Sequence, residues 1–407
     1  MRSRFPLVAL AVAAALPSLA SAVDLSYSGF STAGYAQSDT YDAQVGYSGQ
    51  PEGIDKGGSF ETDSKLGVQV TAKFNDMVSA TVQGVAYSNL AGDWEPRLDW
   101  AYVRVKPLQD LSFRAGYLRA PTFMYSDSVF VGYANVWVRP PVEVYNLSSV
   151  YQIRGLDANW RVNAGPVAVT FNPYFGDSEV KLVGETLDVP SWAGLATTAE
   201  YGSFTARVGY SELELGSTTK SLVPLIDSLR AIPTAFCGNG CARDASGLDM
   251  DGVTVKNFNV GVQFDDGKNF VASEFARIRA GENYLVPDKN SAYVTYGRRF
   301  GNLMPYATYS QMRRDQSMSP STIPSAGPLA ILNATINGIV ATTAGDQNDY
   351  SVGVRYEVPS FSVLKGALVK LQLDHIDTKD TNGMLNNVTA DFDGTLNMIS
   401  ASFDFIF

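Results

Sequence analysis

Along most of this chain, apolar residues recur at every second position. Val68, Val70, Ala72 and Phe74 alternate with Gln69, Thr71 and Lys73. Phe258, Val260, Val262 and Phe264 alternate with Asn257, Asn259, Gly261 and Gln263, and Tyr350 to Val358 repeats the pattern. Successive side chains of an extended strand point to opposite faces. Each stretch therefore predicts a strand with one greasy and one wet face, and no helical period competes. Sixteen such segments can be laid out, at 24–36, 60–74, 77–88, 97–106, 111–119, 149–162, 166–175, 190–200, 203–214, 255–264, 269–279, 290–299, 304–314, 346–358, 365–377 and 394–407. Short connections follow the even-numbered segments, among them Asn75-Asp76 and Tyr201-Gly202. Long ones follow odd-numbered segments, near 37–59, 120–148, 215–254, 315–345 and 378–393, with shorter ones near 89–96 and 280–289.

Two architectures use such strands. A soluble sandwich hides one face of each sheet, and should not combine an apolar face on every strand with Lys, Arg, Asp and Gln on the faces turned inward. A membrane barrel does the reverse, with lipid outside and water within. After the amino-terminal region no segment supplies 18 consecutive apolar residues, so no helical span is expected. Strands cross a bilayer only as a closed barrel, because an open edge leaves backbone groups unsatisfied in lipid. The expected fold is all-β, a transmembrane antiparallel β-barrel of about 16 strands. The high counts of Tyr (21), Phe (21) and Gly (36) suit interfacial girdles and tight turns.

The amino-terminal region adds a compartment. Arg2 and Arg4 precede an apolar run from Phe5 to Leu19, and Ala20-Ser21-Ala22 is a small-x-small cleavage site. Residues 1–22 are expected to be a signal peptide, leaving 23–407 as one barrel domain. A membrane anchor is the competing reading, but the run is short of the roughly 20 residues a span needs. No Cys follows the site, which disfavours a lipoprotein. Without Arg2 and Arg4 the chain holds 29 basic against 41 acidic residues, or −12, which argues against a nucleic-acid partner. Cys237 and Cys241, in Cys-Gly-Asn-Gly-Cys, are the only cysteines. Export makes a disulfide the favoured reading over a metal site, since no His or third Cys is near.

At the carboxyl end Ile399, Ala401, Phe403, Phe405 and Phe407 share one parity, and Ser400, Ser402 and Asp404 the other. This strand resembles the terminal signature of bacterial outer-membrane barrels, which implies that Phe403, Phe405 and Phe407 are read by the barrel assembly machinery. The third long loop, Arg119 to Tyr145, is dense in Tyr, Trp, Met and Pro, including Pro140-Pro141. Such a long, stiff loop usually carries function. In strand count, loop order, third loop and terminus, the mature chain resembles the trimeric porins of Gram-negative bacteria. The resemblance implies a third loop folded into the lumen, a homotrimer, contact with outer-membrane lipid and lipopolysaccharide, and passive flow of ions and small hydrophilic solutes without a cofactor.

In that family, acids on the inward loop face bases on the wall. Here Arg114 alternates with Phe113, Ala115 and Tyr117, so it is expected to face the lumen, and Arg104 and Arg154 are placed inward in the same way. Asp127 and Glu143 are the candidate loop acids, with Arg119 and Arg139 as further candidates at the constriction. A charged ring at the narrowest point sets selectivity. The −12 of the chain and the wall arginines pull selectivity in opposite directions. Tyr125, Tyr133 and Trp137 are expected to pack the loop to the wall, with an aromatic track for solutes as the alternative.

Other chemistry finds little support. His375, the only histidine, is followed by Ile376-Asp377 and not by the serine of the barrel phospholipases. It shares parity with Leu371 and Leu373, so an outward position is expected and no enzyme is inferred. Asp244, Asp249 and Asp251-Gly252 do not match a calcium-loop spacing. Strands that start almost at Val23 leave no room for the plug of a TonB-dependent receptor. The alternatives to a diffusion pore are a substrate-specific channel for sugars, carboxylates or aromatic solutes, then a surface enzyme or an adhesin.

Overall fold

The computed structural model describes residues 23–407 apart from 47–51, 89–93, 95, 149, 183–184, 316–320, 344, 360–365 and 379–381; the expected signal peptide lies outside the described residues. Sixteen antiparallel strands form one closed barrel. In chain order they are β1 (Asp24–Ser38), β2 (Lys65–Lys73), β3 (Val78–Tyr87), β4 (Arg97–Leu108), β5 (Leu111–Arg119), β6 (Gln152–Ala164), β7 (Val167–Leu182), β8 (Glu185–Tyr201), β9 (Phe204–Glu214), β10 (Thr254–Asp265), β11 (Asn269–Arg279), β12 (Lys289–Arg298), β13 (Leu303–Arg314), β14 (Gln347–Val358), β15 (Gly366–Asp377) and β16 (Thr395–Ile406). No helix among the described residues is long and apolar enough to cross a membrane.

Each strand pairs with its sequence neighbours, and β1 pairs with β16 from Phe30↔Ile406 to Ser38↔Met398. Gly29 and Phe407 exchange both backbone hydrogen bonds at 3.0 Å, which ends the seam. A Cβ at Gly29 would stand 2.2 Å from the Phe407 ring and would displace it. Phe403, Phe405 and Phe407 line the outer face, with ring centroids 5.8 and 6.0 Å apart. Outside, Ile399 and Phe403 are exposed, while Ser400, Ser402 and Asp404 are buried within. Exposed apolar positions such as Val260, Val294, Val352 and Leu371 follow the same parity round the barrel.

The turns after even strands are tight, and Gly165, Gly202, Gly267 and Gly301 adopt positive φ there. Loops after odd strands are long, with one difference from the sequence reading. β7 and β8 run on to Leu182 and Glu185 as an extended hairpin, where the hydrophobic pattern stops near 175 and resumes near 190. Register Ser178↔Val189 to Leu182↔Glu185 sustains it by backbone bonding past the apolar band.

Two long loops carry helices that strand patterning misses. Helices Val223–Ala231, Thr234–Cys237 and Gly240–Leu248 follow β9, and helix Ala330–Thr343 precedes β14. They bury Ile226, Leu229, Leu248, Tyr284, Ile323 and Ile336 in a small core of their own. Cys237 and Cys241 are disulfide-bonded inside it.

Candidate functional site in the lumen

The connection from β5 to β6 turns inward. It holds short 3-10 turns at Ser126–Ser128 and Gly132–Ala134 and a helical turn at Val142–Tyr145. Its polar groups meet inward-facing side chains on the far wall. Met124 N and Tyr145 OH donate to Glu274 of β11, each at 2.9 Å. Trp137 Nε1 donates to Thr295 of β12 and Thr308 of β13, both at 3.0 Å. Glu143 accepts from Ser310 of β13 at 2.7 Å and Gln347 of β14 at 2.6 Å. Lys370 of β15 donates to the carbonyls of Gly132 and Trp137 at 2.7 Å, and lies 3.2 Å from Asp404 of β16.

Arg139 is the hub of this attachment. Its Nε and Nη2 donate to the two oxygens of Asp63 at 2.9 and 2.6 Å, and Nη2 also reaches Ser400 at 2.9 Å. The planar fork matches a carboxylate in this bidentate fashion. Burial pushes the Asp63 carboxyl up, but Arg139, with Lys65 and Lys370 nearby, offsets it and leaves the group below its usual range. Glu143 goes the other way: burial pushes its carboxyl up, with hydrogen bonds from Ser310 and Gln347 opposing. The sequence places Arg139 beside Glu143, but the structure gives Arg139 to Asp63, a residue of the β1–β2 loop. Both are buried, so they fasten the loop and do not line open water.

The loop leaves the opposite wall largely uncovered. Arg114 of β5 faces inward and is bonded through Nε to Asp157 of β6 at 2.9 and 3.1 Å, with Nη2 on the same carboxylate. Its guanidinium lies 5.4 and 5.2 Å from the rings of Trp100 and Tyr102 on β4. Exposed Asp127, in the loop's first short turn, acts electrostatically on Arg114. Arg104 stands directly opposite Arg114 in the β4–β5 register and is exposed. No ion pair joins Arg104 to an acid among the described residues. Arg119 is buried, bonded to Asp99 at 2.5 Å, with the loop residue Phe130 4.3 Å from its guanidinium.

Arg154 corrects the inward expectation. It pairs across strands with Tyr117, on the outward parity of β5, and Leu156 next on its own face is 59% exposed. Its partners Asp177 and Glu179 share that outer face beyond the apolar band. Alternation around Ile153 misleads because Ile153, buried at 1%, belongs to an inner apolar cluster under the loops with Leu118 and Trp192.

Trp137 is 1% exposed and Tyr133 packs on Gly366, so both serve as packing. Tyr125 donates to Gln263 at 2.6 Å from the loop's edge. His375 is exposed on the outer face beside Asn397 at 2.8 Å. Asp244 is bonded to Tyr284 and Ser321, and Asp249 to Arg230. Among the described residues no acid, His or Cys group is spaced to hold a metal.

Sequence reasoning missed Asp63, Asp99, Asp157 and Glu274, the acids that engage the arginines and the loop. Parity alone could have placed Asp157 inward; pairing it with Arg114 needs the register. Trp100, Tyr102 and Arg104 share parity against Ala101, Val103 and Val105, so their common face was readable.

No family model and no curated protein matches the sequence. Solved structures do match in shape. OmpF of Salmonella typhi, solved in complex with daunomycin, is 13% identical with a TM-score of 0.54, covering 95% of this chain and 98% of that one. The outer membrane channel DcaP of Acinetobacter baumannii is 12% identical at 0.53, over 95% and 97%. An anion-selective porin of Comamonas acidovorans is 10% identical at 0.51, over 95% and 100%. The chain thus has the closed sixteen-stranded barrel fold of the Gram-negative porins, and outer-membrane channels are among its structural neighbours.

Proposed function

We propose that this barrel is an outer-membrane channel for passive diffusion of ions and small hydrophilic solutes. One observation carries the reading. The inward loop is fastened to one side of the lumen, and the polar wall of β2–β9 stays partly exposed, at Gln69, Thr71, Gln83, Asn159, Asn172 and Thr198. A polar, partly uncovered wall inside an apolar cylinder suits water and solutes. No covalent step or cofactor enters this reading, and His375, on the outer face, takes no part in it.

The finer features follow the same resemblance. Export removes residues 1–22, the assembly machinery engages Phe403, Phe405 and Phe407, and three copies associate in the outer membrane against lipid and lipopolysaccharide. Selectivity is set on the uncovered wall. Arg114 is neutralised by Asp157, whereas Arg104 and Lys106 of β4 carry no acidic partner among the described residues. The −12 of the chain without residues 1–22 then misleads, because Asp63, Asp99 and Asp157 are already paired inside. A modest anion preference is expected. The test is the reversal potential of single channels in planar bilayers under a salt gradient. An anion-side potential supports the reading, a cation-side potential removes the selectivity assignment, and no current from folded protein removes the channel.

A further inference from the structure

We propose that the inner face of β4 is a binding site for small planar anions, aromatic monocarboxylates in particular. The inference rests on the channel reading and adds a substrate class to it.

The argument begins with two arginines set face to face. Arg104 and Arg114 are directly opposed across β4 and β5. Like charges at such positions repel. Only one carboxylate, Asp157, bonds this pair, and it bonds Arg114. The described acid next in electrostatic reach of Arg114 is Asp127, on the inward loop. Arg104 is left exposed, with no ion pair to an acid among the described residues. Lys106, two residues further along the same face, adds a second cation without an acidic partner among the described residues.

The aromatic part of the site is on the same strand. Trp100 and Tyr102 share the Arg104 face, their centroids 5.6 Å apart. Tyr102 has Thr81 as its cross-strand neighbour on β3 and Gly116 on β5. Gly116 offers no side chain, and the β5 group beside these rings is the Arg114 guanidinium, 5.2 Å from Tyr102 and 5.4 Å from Trp100. Positions two apart on a strand are separated by about 7 Å. A ring carrying one carboxylate on a short arm can therefore lie against Tyr102 and Trp100 while the carboxylate reaches Arg104. A guanidinium binds a carboxylate bidentately, and ring stacking adds what an aliphatic acid cannot use. On the fastened side Arg139 and Lys370 are both buried and bonded, and no comparable Trp–Tyr–Arg alternation on one strand accompanies them.

The test uses purified, refolded, heat-modifiable protein in planar bilayers with potassium chloride. Benzoate, cyclohexanecarboxylate or acetate is added to one side, and half-block of single-channel current is read. Benzoate should block at a concentration at least fivefold below acetate, with cyclohexanecarboxylate between them. Arg104→Gln should raise the benzoate value at least fivefold, and Arg104→Lys should recover part of it. Tyr102→Leu should weaken benzoate and leave acetate unmoved. Equal block by benzoate and acetate, or an Arg104→Gln channel with unchanged benzoate block, overturns the site while the channel stands. Absence of current in chloride alone overturns both.

Discussion

The two sides of the lumen use the same residue types to opposite ends. On β11–β16 and β1, inward polar groups are buried against the loop: Glu274, Thr295, Ser310, Lys370, Ser400 and Asp404 are each at most 1% exposed. Their hydrogen bonds run to Met124, Trp137, Arg139, Glu143 and the carbonyl of Gly132. On β2–β9 Gln69, Thr71, Gln83, Asn159 and Asn172 keep part of their surface in water, and Arg104 is exposed. Arg139 and Arg104 make the contrast sharpest: one guanidinium is a fastener, the other a free charge. Inside a barrel, polarity does not identify the conducting surface. What identifies it is whether the polar groups have already found protein partners.

The largest expected effect comes from breaking the fastened side. Arg139→Ala leaves Asp63, 2% exposed, as a buried carboxylate without its partner, a change that typically costs about 3–5 kcal/mol. The loop should detach. Flickering current of raised conductance in bilayers, with new protease cleavage between 121 and 147, would register it; a quiet wild-type trace would show that Arg139 is not the hub.

A change outside both sides should move stability without current. Cys237→Ser with Cys241→Ser opens a loop of few residues, worth about 2 kcal/mol by loop-closure entropy. The loss should be confined to the helical cap around Leu229 and Leu248. Thermal unfolding and hydrogen exchange report it, and conductance should stay at the wild-type value.

The smallest energetic effect, yet the most telling for function, comes from the open side. Arg104→Glu reverses one unpartnered charge in water-filled surroundings, where a unit charge acts with only about 1 kcal/mol at contact. The reversal potential should swing towards cations with conductance nearly kept. The matching change at buried Lys370 should instead reduce folded yield.

How much of this was readable beforehand follows the same division. The barrel was legible because lipid enforces parity on every strand, as at Phe403, Phe405 and Phe407. The inward placement of Arg104 and Arg114 was legible for that reason. Arg154 was not, because an inner apolar cluster places Ile153 inside and turns the local pattern over. The partners of Arg114, Arg119 and Arg139 were hidden too. Asp63 and Arg139 are 76 residues apart and meet only through the fold of a loop, which no local period encodes. The helices of the long loops escaped because their helical stripes sit between strands.

The central claim, that solutes pass along β2–β9 and not along the fastened side, has a direct measurement. Single cysteines are placed at Gln83 and at Ser351, residues of similar polarity on the two sides, and a charged, water-soluble thiol reagent is added to conducting channels. Gln83→Cys should react and lower the current in steps, while Ser351→Cys, 5% exposed beneath the loop, should stay inert. Rapid block at Ser351→Cys with an inert Gln83→Cys would contradict the account and place the conducting path beneath the loop.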